Sequence, residues 1–404
     1  MTFTELPLST ALQANLARHG FLTPTPVQAE AIPPALEGRD VVATAQTGTG
    51  KTLAFLLPIL ESILATGVKN GPAALILSPT RELALQIDET FQRLAAGTKI
   101  RSAVAVGGMN ENQQLRALRG GAQVIIATPG RLSDFMDRGL VRLAGVRAFV
   151  LDEADRMLDM GFLPSIRAIA KSLPAARQTL LFSATIEKSV AHLIDAYVTD
   201  PVRIAIGSVT KPTEQVTLDH YEVGSDRKLA MLLHLLEQQA GSTLVFARTK
   251  HRTDRLARSL SNAGLKAARI HGDRTQGQRN QALAGFKNGS YRILVATDVA
   301  ARGIHVDGIS HVVNFDLPQQ PEDFVHRIGR TGRAGARGLA STFSTREERQ
   351  EIRRIERALG VRLRPQEAPA GLQAEEKNTK VIQLPTPPAT RTFGPRRRRS
   401  MAAR

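Results

Sequence analysis

The chain has 404 residues, 42% hydrophobic and 4% aromatic, with no cysteine and no tryptophan. Its length predicts more than one domain, and the lack of cysteine excludes disulfides and cysteine-ligated zinc, as expected of a protein in a reducing cytoplasm. The net charge of +17 points to a polyanionic partner, and the scarcity of aromatic rings predicts that phosphate contacts carry the binding.

No apolar run approaches the roughly 20 residues that span a bilayer. The start, Met1-Thr2-Phe3-Thr4-Glu5, lacks the basic and apolar segments of a secretory signal, so no membrane role is expected. Val41-Val42-Ala43 reads as a strand and Leu53 to Leu64 as a helix. Between them lies Ala45-Gln46-Thr47-Gly48-Thr49-Gly50-Lys51-Thr52, which fits the phosphate-loop pattern G-x-x-x-x-G-K-[ST] once its first position is relaxed to Ala45. Glycines let consecutive backbone N–H groups turn toward one anion; Lys51 reaches the outer phosphates and the Thr52 hydroxyl can ligate magnesium.

Further apolar runs follow at Ala74-Leu75-Ile76-Leu77, Val124-Ile125-Ile126-Ala127, Phe149-Val150-Leu151 and Leu180-Leu181-Phe182, each followed by a turn and an amphipathic stretch. This alternation predicts a parallel sheet covered by helices. One run ends in Asp152-Glu153-Ala154-Asp155. Asp152 is placed to hold magnesium and Glu153 to orient and deprotonate an attacking water.

Gly207 to Gln215 is polar, with Gly and Pro, and reads as a linker between domains 1–206 and 216–364. The second unit repeats the α/β pattern with Leu244-Val245-Phe246, Ile293-Leu294-Val295-Ala296 and Val312-Val313-Asn314-Phe315, but has no phosphate loop. It contributes His326-Arg327-Ile328-Gly329-Arg330-Thr331-Gly332-Arg333 instead. Arg330 and Arg333, three apart, share a face and could stabilise charge on a γ-phosphate across a cleft. Residues 365–404 lose all apolar periodicity and are expected to be a disordered basic tail. Eight basic residues and no acid lie from Lys377 to Arg404, which leaves +9 for the rest of the chain.

These motifs and their order resemble the DEAD-box RNA helicases, most closely the bacterial RhlE-like group, from about Phe3 to Arg364. The resemblance implies two RecA-like parallel-sheet domains, ATP and Mg2+ as cofactors, and RNA as partner. It implies catalytic roles for Lys51, Glu153, His326, Arg330 and Arg333. Gly20-Phe21-Leu22-Thr23-Pro24-Thr25-Pro26-Val27-Gln28 matches the family's Q motif, in which Gln28 pairs with the adenine edge. Phe3 takes the position whose ring stacks on adenine, and Phe21 belongs to the same nucleotide site as Thr47, Gly48, Thr49, Gly50 and Asp152. No N-K-x-D or T-K-x-D offers a guanine reader.

The resemblance also makes Ser183 and Thr185, in Ser183-Ala184-Thr185, the residues that couple hydrolysis to strand separation. It assigns RNA contacts to Thr80, Arg81, Gly108, Thr128 and Arg131 in the first domain, and to Thr249, Gly272, Arg279, Thr297 and Arg302 in the second. Such hydroxyls, glycines and guanidiniums bind phosphate and sugar without reading bases. One departure is His305, where the family usually has an Asp at the ribose, with Asp307 two residues on. An ATP-gated RNA clamp or annealing chaperone fits the same motifs, and the basic tail could reach ribosomal or RNA-processing complexes.

Overall fold

The structure is a computed structural model that describes residues 2–45, 49–69, 71–206, 216–301, 306, 308–332 and 337–374. The expected linker 207–215, Thr47, Gly48, Arg302, His305, Asp307, Arg333 and the tail from 375 onward lie outside these residues.

Seven strands form the first sheet: β1 (Val41–Thr44), β2 (Ala74–Leu77), β3 (Ser102–Ala105), β4 (Val124–Ala127), β5 (Ala148–Leu151), β6 (Gln178–Ser183) and β7 (Val202–Ala205). Seven form the second: β8 (Val216–Glu222), β9 (Thr243–Phe246), β10 (Ala267–Ile270), β11 (Ile293–Ala296), β12 (His311–Asn314), β13 (Gly338–Ser344) and β14 (Arg364–Gln366). All their pairings are parallel. The strand orders are β3-β4-β2-β5-β6-β1-β7 and β10-β11-β9-β12-β13-β8-β14, the same topology twice. The expected pair of RecA-like parallel sheets is present.

Helices cover both faces of each sheet, so the central strands are apolar on both sides. In β2, Ala74 and Ile76 enter one core while Leu75 and Leu77 enter the other, as the two-residue side-chain period demands. In β9, Leu244 and Phe246 face one core and Val245 the opposite one. A parallel sheet directs every strand's C-terminal end to one rim, and both loops expected to carry phosphate chemistry, after β1 and β5, leave from there.

The second sheet departs from an apolar interior. β8 and β13 carry buried or half-buried polar side chains that bond across strands: His220 Nε2 to Ser344 Oγ at 2.8 Å, and His311 Nε2 to Ser341 Oγ at 2.9 Å. Asn314 Nδ2 donates to Thr342 Oγ1 at 3.1 Å. Packing also continues past the expected boundary at Arg364. β14 pairs with β8 through Arg364, Pro365 and Gln366, and Ala368 and Leu372 pack on the core beside Tyr221 and Leu229. A proline is tolerated there because β14 is the sheet's edge. Among the described residues no helix is long and apolar enough to cross a membrane.

Burial lowers the His311 pKa from its ordinary value to about 4, and lowers that of His220 as well. Both rings are therefore neutral in the fold and protonate more readily once unfolded. The unfolded chain binds more protons between about pH 6.5 and 4, so stability should fall as pH drops through that window. His311 accounts for up to roughly 3 kcal/mol of it. Urea unfolding at pH 7 and pH 5 is expected to show a smaller loss for His311→Gln than for the parent chain; equal losses would remove His311 from this role.

Candidate active site

The site begins at the end of β1, where the Ala45 N–H donates to the Ser183 carbonyl at 3.0 Å. Gly50 ends the phosphate loop in the left-handed region, at φ 92°, and caps the helix Lys51–Ala65. A Cβ on Gly50 would lie 2.4 Å from Gln28 Nε2, so both backbone and packing require glycine. Lys51 is buried, and its ammonium donates back across the loop to the Ala45 carbonyl at 3.1 Å.

The Q segment is bolted to this loop. Gln28 Nε2 donates to the Gly50 carbonyl at 2.9 Å, its Oε1 accepts from the Thr25 N–H at 2.9 Å, and Thr25 Oγ1 donates to the Thr49 carbonyl at 2.7 Å. These contacts use one N–H and one lone pair of the Gln28 carboxamide and leave one of each for an adenine edge. Phe3 and Phe21 differ in exposure: Phe3 is 3% exposed in the first lobe's core, and Phe21 is half-buried at that core's margin.

Beyond β5, Asp152 is 3% exposed and its Oδ1 has no hydrogen-bond partner. Burial pushes its pKa up to about 7, against the opposing pull of the Lys51 ammonium. A buried carboxylate oxygen without a proton donor, next to a phosphate loop carrying the Thr52 hydroxyl, fits a hard divalent cation such as magnesium. Glu153 adopts φ 52°, an uncommon conformation for a residue with a side chain, at the switch from strand to helix. Its Oε2 accepts from Arg156 NH1 at 2.5 Å in a buried ion pair. Nothing in the reading of the sequence singled out Arg156; only the three-residue spacing from Glu153 signals it.

Asp155 joins this turn to the end of β6. Its Oδ2 accepts from the N–H groups of Ala184 and Thr185, at 3.0 and 2.9 Å, and from Thr185 Oγ1 at 3.1 Å. Its own N–H donates to Ser183 Oγ at 3.2 Å. Ser183 and Thr185 are thus both bonded to the turn that carries Glu153.

The second lobe faces this turn. A cavity of about 430 Å³ is walled by Asp155, Thr185 and Glu187 on one side and by Gln319, Asp323 and His326 on the other. Burial lowers the His326 pKa, while the nearby Asp155 opposes that shift. Arg330 is 4% exposed and its Nε donates to the His326 carbonyl at 3.2 Å. Arg327, within the same motif, does structural work instead. It grips Asp298 with two bonds, at 2.5 and 2.7 Å, donates to the Asp316 carbonyl at 2.6 Å, and lies over the Phe246 ring.

The expected RNA contacts sort into two groups. Thr80 and Thr249 stand at matching places, three residues past β2 and β9, and each caps the following helix through its hydroxyl. Thr128 stands at the N-terminal cap of the helix Pro129–Asp137. Gly272 has nothing within 4 Å of where a Cβ would stand, and Thr297 is buried. A Cβ on Gly108 would strike the Arg81 guanidinium, at 2.3 Å. The arginines are more heavily engaged with the protein than the sequence suggests. Arg131 pairs with Glu111 and Asp134, both at 3.2 Å. Arg81 reaches across to Gln276, and Arg279 reaches back to Glu82 at 3.1 Å, so these two bridge the lobes.

Two family models match the chain: DEAD/DEAH box helicase over residues 25–193 and helicase conserved C-terminal domain over 227–335. The DEAD-box ATP-dependent RNA helicase CshA of Geobacillus kaustophilus is 44% identical over 331 residues, covering 81% of this chain and 70% of that protein. The chain belongs to the DEAD-box ATP-dependent RNA helicases.

Within the family, the CshA of Bacillus cereus is 43% identical over 81% of this chain, though the match spans only 62% of that longer protein. The helicase CshA of Limosilactobacillus reuteri is 42% identical over 93% of this chain and 75% of its own length. These relatives carry the name CshA, and the narrower RhlE-like resemblance finds no support in them. Among solved structures, S. cerevisiae Dbp5 bound to RNA and ADP BeF3 aligns with TM-score 0.81 at 32% identity, covering 91% of this chain and 96% of that one.

The Glu82–Arg279 bridge is only slightly exposed, so its loss should tell on the closed arrangement. Fluorescence transfer between labels on the two lobes is expected to report a roughly tenfold weaker closed population in Arg279→Glu. Closure should return in the Glu82→Arg, Arg279→Glu double variant, and an unaffected single variant would show the bridge to be incidental.

Proposed function

We propose that this protein hydrolyses ATP in its first lobe in response to RNA lying across both lobes. Closing the cleft then opens short RNA duplexes locally, without travel along the strand. The observation that carries this reading is the cavity shared by Asp155 and Thr185 with Asp323 and His326. It puts the arginine-bearing motif of one lobe beside the acidic turn of the other.

Lys51 and the loop N–H groups would hold the phosphates, Gln28 the adenine, and Phe3 its face, with Phe21 beside the same site. Thr52 and Asp152 would hold magnesium, which when bound neutralises charge on the phosphates. Glu153 orients the attacking water and accepts its proton at a carboxylate oxygen, while Arg156 keeps that carboxylate in place. Arg330, with Arg333, brings positive charge to the departing phosphoryl group, and the His326 backbone carbonyl steadies Arg330. Asp155, anchored to Ser183 and Thr185, carries the state of the Glu153 turn to the wall that meets the second lobe.

RNA would run over the rim from Thr80, Arg81, Gly108, Thr128 and Arg131 to Thr249, Gly272, Arg279, Thr297 and Arg302. The solved relatives support this. Yeast Mss116p bound to single-stranded RNA and AMP-PNP aligns with TM-score 0.82 at 30% identity, over 90% of this chain and 78% of that one. A DEAD box protein from Methanococcus jannaschii is more identical, at 38%, yet aligns with TM-score only 0.54 over 91% of this chain and 99% of its own. Likeness to the RNA-bound proteins in the placing of the lobes, beyond sequence identity, favours RNA as the ligand of the closed form.

Turnover measured with saturating RNA separates the roles. Glu153→Gln is expected to keep ATP and RNA binding while abolishing RNA-stimulated hydrolysis, and Arg330→Ala to slow it by a thousandfold or more. Normal turnover in both variants would overturn the split active site.

A further inference from the structure

The two lobes share one topology, so their rims can be compared position by position. Strand register sets Leu151 of β5 against Leu77 of β2, and Asn314 of β12 against Phe246 of β9. Phe315 and Asp316 therefore stand where the first lobe has Asp152 and Glu153. Lys228 opens the helix Lys228–Gln238 as Lys51 opens its own. Its ammonium, however, is buried against Glu348 at 3.3 Å. The second lobe has thus replaced its metal-binding carboxylate by a ring and neutralised its lysine.

A cavity of about 410 Å³ nevertheless opens beside this altered site. It is lined by the helix Lys250–Asn262, by Ser225 and Leu229 at the start of the helix Lys228–Gln238, and by Thr249 and Phe315, just past β9 and β12. The helix Lys250–Asn262 leaves β9 over one face, sharing a core with Val245, and the helix Pro321–Ile328 leaves β12 over the other, sharing a core with Val312. That divergence is a topological switch point, where open α/β sheets bind ligands. Phe315, Leu229 and Leu256 supply apolar lining; Arg252, Arg255 and His251 supply basic groups. Arg252 lies 5.2 Å over the Phe315 ring and pairs with the buried Asp316 at 3.3 Å, which fixes its guanidinium. Thr249, one of the residues assigned to RNA, belongs to the same lining.

We infer that this cavity is an accessory nucleotide subsite on the second lobe, taking one phosphate on Arg252 and Arg255 and one base against the apolar lining. The inference rests on the RNA-binding reading above, because Thr249 places the subsite against the proposed RNA path. Its volume is in the range of small-ligand pockets, and its mixture of basic and apolar groups matches a nucleoside phosphate rather than a bare anion. A nucleoside phosphate could come from the RNA strand itself or from a free mononucleotide.

The test uses the full chain with a non-hydrolysable ATP analogue and single-stranded RNAs lengthened one nucleotide at a time from either end. The parent chain should gain affinity when the strand grows past one end of the cleft. Arg255→Glu and His251→Glu should each lose that gain, roughly tenfold, while Arg255→Lys keeps it. Arg255→Glu should also shallow the salt dependence by roughly 0.7 per lost phosphate contact. Binding of the shortest strand, and the ATP turnover it stimulates, should not change. AMP titrated into the full-length Lys51→Ala chain tests the other source: Arg255-dependent binding there, with no length-dependent gain, assigns the subsite to free nucleotide.

No Arg255 dependence in either titration overturns the subsite, and so does an equal loss at every RNA length. If the parent chain shows no RNA-stimulated turnover at all, the proposed function fails, whatever Arg255 does.

Discussion

Asp155 Oδ2 accepts three hydrogen bonds from two successive residues, Ala184 and Thr185, and so locks the end of β5 to the end of β6. Charge-assisted bonds to backbone N–H groups are strong and directional, and a buried carboxylate with three donors has little freedom. The turn that carries Glu153 is therefore not an independent loop. Any shift of Asp155 displaces Glu153 two residues earlier, and any shift of Thr185 reaches Asp155. Since Asp155 and Thr185 also form the wall facing His326, the Glu153 turn and the inter-lobe surface are one mechanical unit.

The same frame appears twice, which isolates what sequence divergence has done to each copy. Both lobes have the same strand order, a lysine at the start of the first crossover helix and a threonine cap three residues past the second strand of each sheet. In the first lobe the lysine lies over a carbonyl that a phosphate can outcompete. In the second it is buried against Glu348, an opposite charge that offsets its pull on an anion. The second copy instead holds Arg330 against the His326 carbonyl and presents Arg279 to Glu82.

What was legible in the sequence followed from burial on both faces. The apolar runs that mark β1, β2, β4, β5, β6, β9, β11 and β12 stand out because these strands lie inside their sheets. β3, β7, β10 and β14 are the edges, only partly covered, and their sequences carry little apolar signal. β8 and β13 are central yet carry little apolar signal, because His220, Ser341 and Thr342 find polar partners across the strands in Ser344, His311 and Asn314, which only pairing reveals. The site divides along the same line. The phosphate loop and the Asp152–Asp155 turn are contiguous and therefore readable, whereas the Arg81–Gln276 and Glu82–Arg279 contacts join residues nearly two hundred positions apart.

Glu153 shows why an ion pair at an active site need not be a stabilising device. Its partner Arg156 is buried and leaves Nε and NH2 without hydrogen bonds, so desolvation is only partly repaid. The left-handed backbone of Glu153 adds a further cost of about 1 to 3 kcal/mol. Two unfavourable terms at one residue persist only where the surroundings over-determine it, and here the Asp155 bonds and the fully buried end of β5 do so. What the arrangement gains is position. Arg156 holds one carboxylate oxygen of Glu153, while the strained turn keeps that carboxylate at the rim rather than along the strand. A relaxed backbone at Glu153 would put the side chain on the alternating pattern of β5, inside one of the two cores, where an ionised base has no use.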